Sequence, residues 1–282
     1  MRRLIPLVLL TSACPGADPE TPPATGNGAG SGTIVFAGSS FAESHVYDLE
    51  LPAGPITDRF KGDDPYRLAG GRTLFVAGAL YSMSADGTMQ TTIAEPEAGS
   101  DGMDWNNQFF HPQASDDESK IAYVGFGGIH VVSAAGEHLK SFTGFYSSAT
   151  WLPDGRLLVS GSSSLPGLFI SDAELTALTR LDSGLANPAE ADVSADGTKI
   201  TFQLQDHIHI MAIDGSGREQ ITVGDSEEHW PVFSPDGKWI AFLSQSDLVI
   251  FELATGRLVN LDSLTKNAGF SIIDVGPVHW LP

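Results

Sequence analysis

Apolar and polar residues alternate with a period of two along much of the chain after residue 33, a pattern typical of strands with one face toward a core. In the segment 199–204, Ile200, Phe202 and Leu204 alternate with polar residues, and a second apolar-alternating run follows at 207–212. An Asp-Gly pair precedes the first run, and such pairs favour tight hairpins because both residues tolerate positive φ. The pattern therefore predicts short antiparallel strands joined by tight turns.

This order of segments recurs six times, and each unit predicts four strands. The second strand of the units begins at residues 34, 74, 121, 157, 200 and 240, so successive units are 36 to 47 residues apart. A period near 40 with four strands per unit is typical of a β-propeller blade, and propellers with six blades occur. We therefore predict an all-β, six-bladed β-propeller over residues 33–282.

The two ends of the repeated region predict how the ring closes. The first unit has no first strand before Thr33, whereas the last unit is followed by a spare segment, 276–282, that is similar to the first strand of another unit at 149–153. We expect this C-terminal strand to pair with 33–37 and to complete the N-terminal blade, so that neither end leaves an open edge.

The clearest copies of the repeat carry Ser-Pro-Asp-Gly-Lys at 234–238 and Ser-Ala-Asp-Gly-Thr at 194–198, each followed by an apolar strand that contains Phe. This pattern resembles the WD-like propeller repeat of the TolB family. The resemblance implies a periplasmic protein whose propeller binds an outer-membrane lipoprotein. TolB proteins also carry an N-terminal α/β domain, for which we expect no room in this chain, so the resemblance implies the fold and a binding role.

The N-terminus has the features of an export signal. Arg2 and Arg3 precede an apolar stretch at 4–10, and small residues precede Cys14, the one cysteine of the chain. This arrangement resembles a bacterial lipoprotein signal, which implies cleavage before Cys14 and acylation of that residue. The alternative is ordinary cleavage at the same place, which would leave an exposed thiol.

Residues 15–32 are rich in Pro, Gly, Ala, Ser and Thr and predict a flexible tether. We therefore expect three parts: a signal peptide at 1–13, a lipidated cysteine with its tether at 14–32, and the propeller at 33–282. The expected location is the bacterial envelope, in the periplasm or at the outer membrane, with the lipid as the membrane anchor.

The net charge and the absence of known motifs argue against several classes of function. The chain has 35 acidic and 15 basic residues, a formal net charge of −20, which argues against nucleic acid and against adsorption to an anionic membrane by charge alone. The sequence contains no Gly-x-Ser-x-Gly elbow, phosphate-binding Gly-Lys-Ser/Thr loop, His-Glu-x-x-His motif or calcium-loop spacing. We therefore expect a protein without catalytic activity. We also expect it to be a monomer.

The loops that join the fourth strand of one blade to the first strand of the next open on one face around the axis, so we expect a binding funnel there. Its candidate residues are Asp101, Asp104, Trp105, Asn107, His111, Tyr146, Asn187, Glu190, Glu228, His229, Asp274 and His279. Carboxylates, imidazoles, amides and aromatic rings in such a funnel could hold a cation, a sugar or a peptide end.

Two main hypotheses follow. In the first, the tethered propeller binds an envelope protein or peptide on the funnel face and needs no cofactor. In the second, it is a metal-assisted glycan lyase or hydrolase, as a similarity to the propeller-type oligogalacturonate lyases implies, with a divalent cation held by Glu228, His229 and either Glu190 or Asp104. A purely structural role in the envelope stays open, and His207 and His209 on one strand face are a weaker metal candidate.

Overall fold

The computed structural model describes residues 30–40, 43–52, 54–95, 110–181, 184–245, 247–261 and 277–282. These residues form six four-stranded antiparallel sheets, which confirms the predicted all-β, six-bladed propeller. The signal peptide, Cys14 and most of the tether lie outside the described residues. Within the described part, no helix is long and apolar enough to cross a membrane.

The strands follow one another around the ring, blade by blade. Blade 1 contains β1 (Gly32–Ser40), β2 (Glu43–Leu51) and β3 (Ile56–Lys61). Blade 2 contains β4 (Asp63–Arg67), β5 (Thr73–Val76), β6 (Leu80–Met83) and β7 (Gln90–Ala94). Blade 3 contains β8 (Phe110–Ala114), β9 (Lys120–Gly125), β10 (Gly128–Ser133) and β11 (His138–Thr143).

Blades 4 to 6 have the same order. Blade 4 contains β12 (Tyr146–Trp151), β13 (Leu157–Gly161), β14 (Leu168–Ser171) and β15 (Leu178–Arg180). Blade 5 contains β16 (Ala189–Val193), β17 (Lys199–Leu204), β18 (His207–Ala212) and β19 (Glu219–Gln220). Blade 6 contains β20 (Glu228–Phe233), β21 (Trp239–Ser244), β22 (Asp247–Glu252) and β23 (Arg257–Asn260). The chain ends with β24 (His279–Leu281).

The last strand completes the first blade. β24 pairs antiparallel with β1, with Thr33 opposite Leu281, Ile34 opposite Trp280 and Val35 opposite His279. The Trp280 side chain is 4% exposed, and its indole N–H donates to the Ser31 carbonyl at 3.1 Å. The two ends of the described chain therefore hold each other, and the order in blade 1 is β24-β1-β2-β3.

In blades 3 to 6, the turns between first and second strands are built on the Asp of the repeated motif. In blade 5, the Ser194 hydroxyl donates to Asp196 at 2.7 Å, and the Thr198 backbone N–H donates to the same oxygen at 3.0 Å. These hydrogen bonds to the ionised carboxylate lower the pKa of Asp196 to about 2. Gly197 follows with φ +69°, a conformation that L side chains rarely adopt, which explains the Asp-Gly pair.

The core lies between neighbouring blades. Ile34 and Phe36 of blade 1 pack with Trp239 and Ile250 of blade 6, and similar apolar layers join blades 2 to 3, 3 to 4, 4 to 5 and 5 to 6. Between blades 1 and 2, the Arg67 guanidinium donates two hydrogen bonds to the buried Asp48 carboxylate, at 2.7 and 3.1 Å. Each sheet thus covers the face of the next one around the ring.

Two faces result from this connectivity. The upper face carries the loops between successive blades and the turns between second and third strands, for example 126–127 and 162–167. The lower face carries the turns between first and second and between third and fourth strands, for example 195–198. Because β1 is a second strand, the described chain enters at the lower face, where Gly30 approaches Trp280 and Trp239.

The pairing of β24 with β1 predicts a large effect of Trp280→Ala on stability. We expect the free energy of unfolding to fall by about 3–5 kcal/mol, because the change removes a buried indole and leaves a cavity between blades 1 and 6. Thermal and urea denaturation measure this effect. Leu139→Ala, at an exposed position of β11, is the matched control and should change stability by about 0.5 kcal/mol or less. Equal stability of the two variants would contradict the closure.

Candidate functional site

The first strands of five blades are bulged near their upper ends, and in four of them the bulge contains a residue in the left-handed conformation. The pairing of β4, β8, β12, β16 and β20 with the adjacent strand shifts register at these points. The bulges of β4, β8, β16 and β20 each contain a non-glycine residue with positive φ, and these residues are Asp64 (φ 47°), His111 (φ 53°), Glu190 (φ 55°) and Trp230 (φ 54°). Such conformations are uncommon for residues with a side chain and mark places that the surrounding structure constrains.

These bulges bring side chains together across the axis, in what we call the axial network: Asp64, His111, Glu190, His229 and Trp230. The rings of His111 and Trp230 lie 4.3 Å apart, although blades 3 and 6 are on opposite sides of the ring. The backbone N–H of His111 donates to Asp64 at 3.3 Å, and that of Trp230 donates to Glu190 at 2.7 Å. The two rings, tilted by 48° to each other, therefore meet across the axis of the ring.

Electrostatics divide the axial network into a neutral and a charged half. Burial raises the pKa of Asp64 and lowers that of His111, so both changes favour the neutral forms. In contrast, Glu190 lies 3.2 Å from the imidazole of His229 and raises the pKa of that histidine through a hydrogen bond. Glu190 and His229 can therefore form an ion pair near the upper face.

Three of the predicted funnel residues thus come together: His111, Glu190 and His229. Tyr146 lies at the upper end of β12, where its hydroxyl donates to the Thr143 carbonyl at 3.4 Å. Asn187 precedes β16 with φ 63°. The remaining predicted residues Asp101, Asp104, Trp105, Asn107 and Asp274, like Cys14, lie outside the described residues.

Glu228 does not join the other proposed metal ligands. Its carboxylate accepts hydrogen bonds from the Thr222 hydroxyl and from the Ile208 N–H (3.3 Å), and lies 3.5 Å from the His207 imidazole. Burial raises the pKa of this carboxyl. Glu190 and His229 contact each other instead. Across the part of the chain that the structure describes, no three His, Cys, Asp or Glu side chains are arranged to hold a metal ion.

His279 occupies a different place from the predicted funnel loop. It lies in β24, where its Nδ1 accepts the backbone N–H of Arg67 at 3.0 Å and its ring stacks on Tyr66 at 4.0 Å. Burial lowers the pKa of His279 to about 3, so the imidazole is neutral. The sequence pattern led us to count the residue among the funnel loops, although it also predicted a strand over 276–282; the pairing with Val35 shows that His279 belongs to the strand.

His279 lines a central cavity of about 330 Å³ that extends to the turns of the lower face. Its walls include Tyr66, Trp151, Phe233 and several prolines, with Asp192 of β16 among them. The Asp192 carboxylate accepts the Phe233 N–H at 2.9 Å. Because Asp192 lies deep inside the ring, desolvation raises its pKa to about 7. An Asp within a predicted strand does not by itself indicate a cavity, so this residue was not among the predicted site residues.

Large apolar side chains are exposed on the upper face of blades 3 and 4. We call Phe126, Phe145 and Leu165 the aromatic ridge; they are 59%, 73% and 38% exposed. Their loops are joined, because the Gly144 N–H donates to the Gly127 carbonyl at 2.9 Å and the Ser162 N–H donates to the Phe145 carbonyl at 3.1 Å. The sequence analysis missed the ridge, although a Phe beside glycines at 125–127 and 144–145 could have indicated exposed turns.

The comparisons with known proteins concern the repeat and the fold. The family described as TolB beta propeller domain matches residues 78–271, more than half of the chain. A WD repeat-containing protein of Synechocystis sp., itself uncharacterised, is 28% identical over 140 residues, which cover 49% of this chain and 40% of that protein. The chain therefore matches less than half the length of this curated relative.

Solved structures show the same architecture. TolB from Acinetobacter baumannii aligns with a TM-score of 0.65 at 16% identity, over 88% of this chain and 65% of that one. A putative TolB from Agrobacterium tumefaciens aligns with a TM-score of 0.61 at 19% identity, over 83% and 89% of the two chains. A nidogen–laminin complex contains a chain that aligns with a TM-score of 0.68 at 12% identity, over 87% and 97%. At these identities the likeness concerns the fold.

The position of Asp192 predicts a stability difference that depends on pH. The native carboxyl, with a pKa of about 7 against 3.8 for the free group, keeps its proton where the unfolded chain has lost it. Stability should therefore fall as pH rises between these two values and stay low above 7. The Asp192→Asn variant does not lose stability in this way. We therefore expect its free energy of unfolding to exceed that of the natural sequence by roughly 1–4 kcal/mol at pH 8 and by much less at pH 4.

Thermal denaturation at the two pH values measures this difference. Asp116→Asn, which changes an exposed carboxyl at the mouth of the same cavity, is the control and should have little effect at either pH. An Asp192→Asn difference that is the same at pH 4 and pH 8 would show that Asp192 is not a desolvated acid.

Proposed function

Because the chain belongs to the TolB β-propeller domain family, we propose that it is a non-catalytic binding module that docks a protein or peptide on its upper face in the bacterial envelope. TolB-type propellers are generally non-enzymatic and bind proteins, and they act in the envelope. The aromatic ridge is the observation that carries the assignment to this face.

The ridge has the properties of a docking surface. Its two phenylalanines are largely exposed on loops that hydrogen-bond to each other, and aromatic side chains are enriched at the centres of protein interfaces. Exposed apolar groups that lie together on a soluble protein mark interaction sites more often than scattered ones do. The glycines beside them allow the turns that turn both rings outward, since Gly127 has φ +79° and Gly144 has φ +153°.

The charge of the upper face adds a second feature of the partner. Exposed acidic residues there include Asp63, Asp206, Asp225 and Glu227. A partner segment that carries apolar side chains flanked by Lys or Arg would match the ridge and its surroundings, and the long-range attraction would speed association.

The proposed anchor is compatible with this orientation. Residues 15–29 would connect the acylated Cys14 to Gly30, which lies at the lower face beside Trp280 and Trp239. A membrane reached through this tether therefore leaves the upper face accessible to an envelope protein. The acyl chains would supply the membrane affinity, at about 0.8 kcal/mol per buried CH₂.

Site-specific crosslinking tests the upper face. A photoreactive benzoylphenylalanine at position 145 should yield a discrete crosslinked protein in envelope preparations, because the side chain projects into the interface. The same probe at Met89, which is 68% exposed in a turn of the lower face, is the matched control and should not yield this product.

A second substitution tests whether the aromatic ridge itself is the docking site. Phe126→Ser in the position-145 crosslinking protein should reduce the product about tenfold or more, because interface aromatic residues commonly contribute over 1.4 kcal/mol to binding. Equal products from positions 145 and 89, or no effect of Phe126→Ser, would exclude the ridge as the docking site.

The lipid anchor makes a separate prediction. Cys14→Ser should move the exported protein from the membrane fraction to the soluble fraction, because serine lacks the sulfur to which the lipid is attached. Thr21→Ser in the tether is the control and should stay with the membrane. Membrane fractionation followed by immunoblotting distinguishes the two, and continued sedimentation of Cys14→Ser with membranes would argue against lipidation.

A further inference from the structure

The central cavity contains a carboxylate without a cationic partner. Asp192 lies inside the ring on the cavity wall, where it is partly buried, and its carboxylate accepts the backbone N–H of Phe233 at 2.9 Å and that of Val193. Among the described residues that line the cavity, none is Lys or Arg. The nearby Lys120 ammonium lies over the Trp151 ring, 5.8 Å from its centroid, and is not part of the lining.

Several other polar groups of the wall have partners within the protein. The Thr150 hydroxyl donates to the Ala191 carbonyl at 2.8 Å, and the Ser194 hydroxyl donates to Asp196 at 2.7 Å. His279 accepts the Arg67 N–H and is neutral. Among the residues that line the cavity inside the ring, Asp192 is therefore the acid whose negative charge is not paired with a cationic side chain.

An uncompensated carboxylate inside a protein costs stability, and such groups are kept where they serve a ligand. The remaining walls indicate what that ligand is. Tyr66, Trp151, Phe233 and Trp280 present aromatic surface, which attracts organic cations through the ring quadrupole and contacts alkyl chains. The volume of about 330 Å³ falls at the small end of ligand pockets.

We propose that this cavity is a binding site for a small primary amine, with the ammonium group paired to Asp192 and the alkyl chain against the aromatic and proline walls. An ammonium group has three N–H donors, and an ionised carboxylate only accepts hydrogen bonds, so the two groups are complementary. An anion would face Asp192 and the exposed Asp116 at the mouth, with no basic lining residue to bind it.

A metal ion fits the same walls less well. Across the described residues no three ligating side chains converge, and the aromatic and proline surfaces offer no oxygen or nitrogen ligands. A compact ion would also leave most of the cavity unfilled. The amine site is independent of the proposed docking role, because it opens at the lower face while the aromatic ridge lies on the upper face.

Titration with n-butylammonium, followed by amide chemical-shift changes at pH 8, tests the site. We expect saturable shifts at residues around the cavity. The neutral isostere n-butanol should bind roughly tenfold more weakly or worse, because it cannot pair with the carboxylate. Equal affinity for the alcohol and the amine would overturn the proposal, since the cavity would then be a simple apolar pocket.

Two variants separate Asp192 from the general negative charge. Asp192→Asn should weaken butylammonium binding roughly tenfold or more, whereas Asp116→Asn should leave it within about twofold. Thermal denaturation verifies that Asp192→Asn is folded, and the matched change in net charge makes Asp116→Asn a direct control. Equal losses in both variants, or unchanged binding in Asp192→Asn, would show that Asp192 does not hold the ammonium. Crosslinking from position 145 is unaffected by these results and tests the docking role separately.

Discussion

The packing of each blade against its neighbours is the constraint on which the rest of this structure depends. A four-stranded sheet with apolar side chains on both faces, such as the blade that contains Ile240 and Phe242, cannot be stable alone in water. Each sheet must be covered on both sides, and a ring satisfies this requirement for every blade. The pairing of β24 with β1 matters for this reason, since it brings the Trp280 indole into the layer between blades 6 and 1.

The same constraint crowds the axis. Six first strands converge there, and four of them relieve the crowding by bulges whose left-handed residues aim side chains at the channel. His111 and Trp230 then meet from opposite blades near the upper ends of their strands, whereas residues further along the same strands, such as Gln113 and Phe233, line the central cavity. The two ends of one channel thus have different chemistry: above, the mostly buried Glu190 pairs with the more exposed His229, and below, a desolvated Asp192 lies among aromatic rings.

Each of the two proposed sites reduces the stability of the isolated protein. Exposed Phe145 and Phe126 lose the burial that their rings would gain in the core, and Asp192 carries a charge that the ring does not neutralise. Functional residues commonly show such local conflicts with the rules that the rest of the chain follows.

The sequence by itself determined the blades, because each one is a local unit: alternating strands at 200–204 and 240–243 and Asp-Gly turns such as 196–197 are encoded within about 40 residues. It also indicated the closing strand, since 276–282 is similar to other first strands. Only the tertiary structure decided which side chains meet at the axis. Glu228 and His229 are adjacent in sequence but point to different partners, Thr222 and Glu190, because neighbouring residues of a strand face opposite sides. Asp64, His111 and Asp192 come from different blades, and the distance between them depends on ring closure and bulge geometry, which no single repeat encodes.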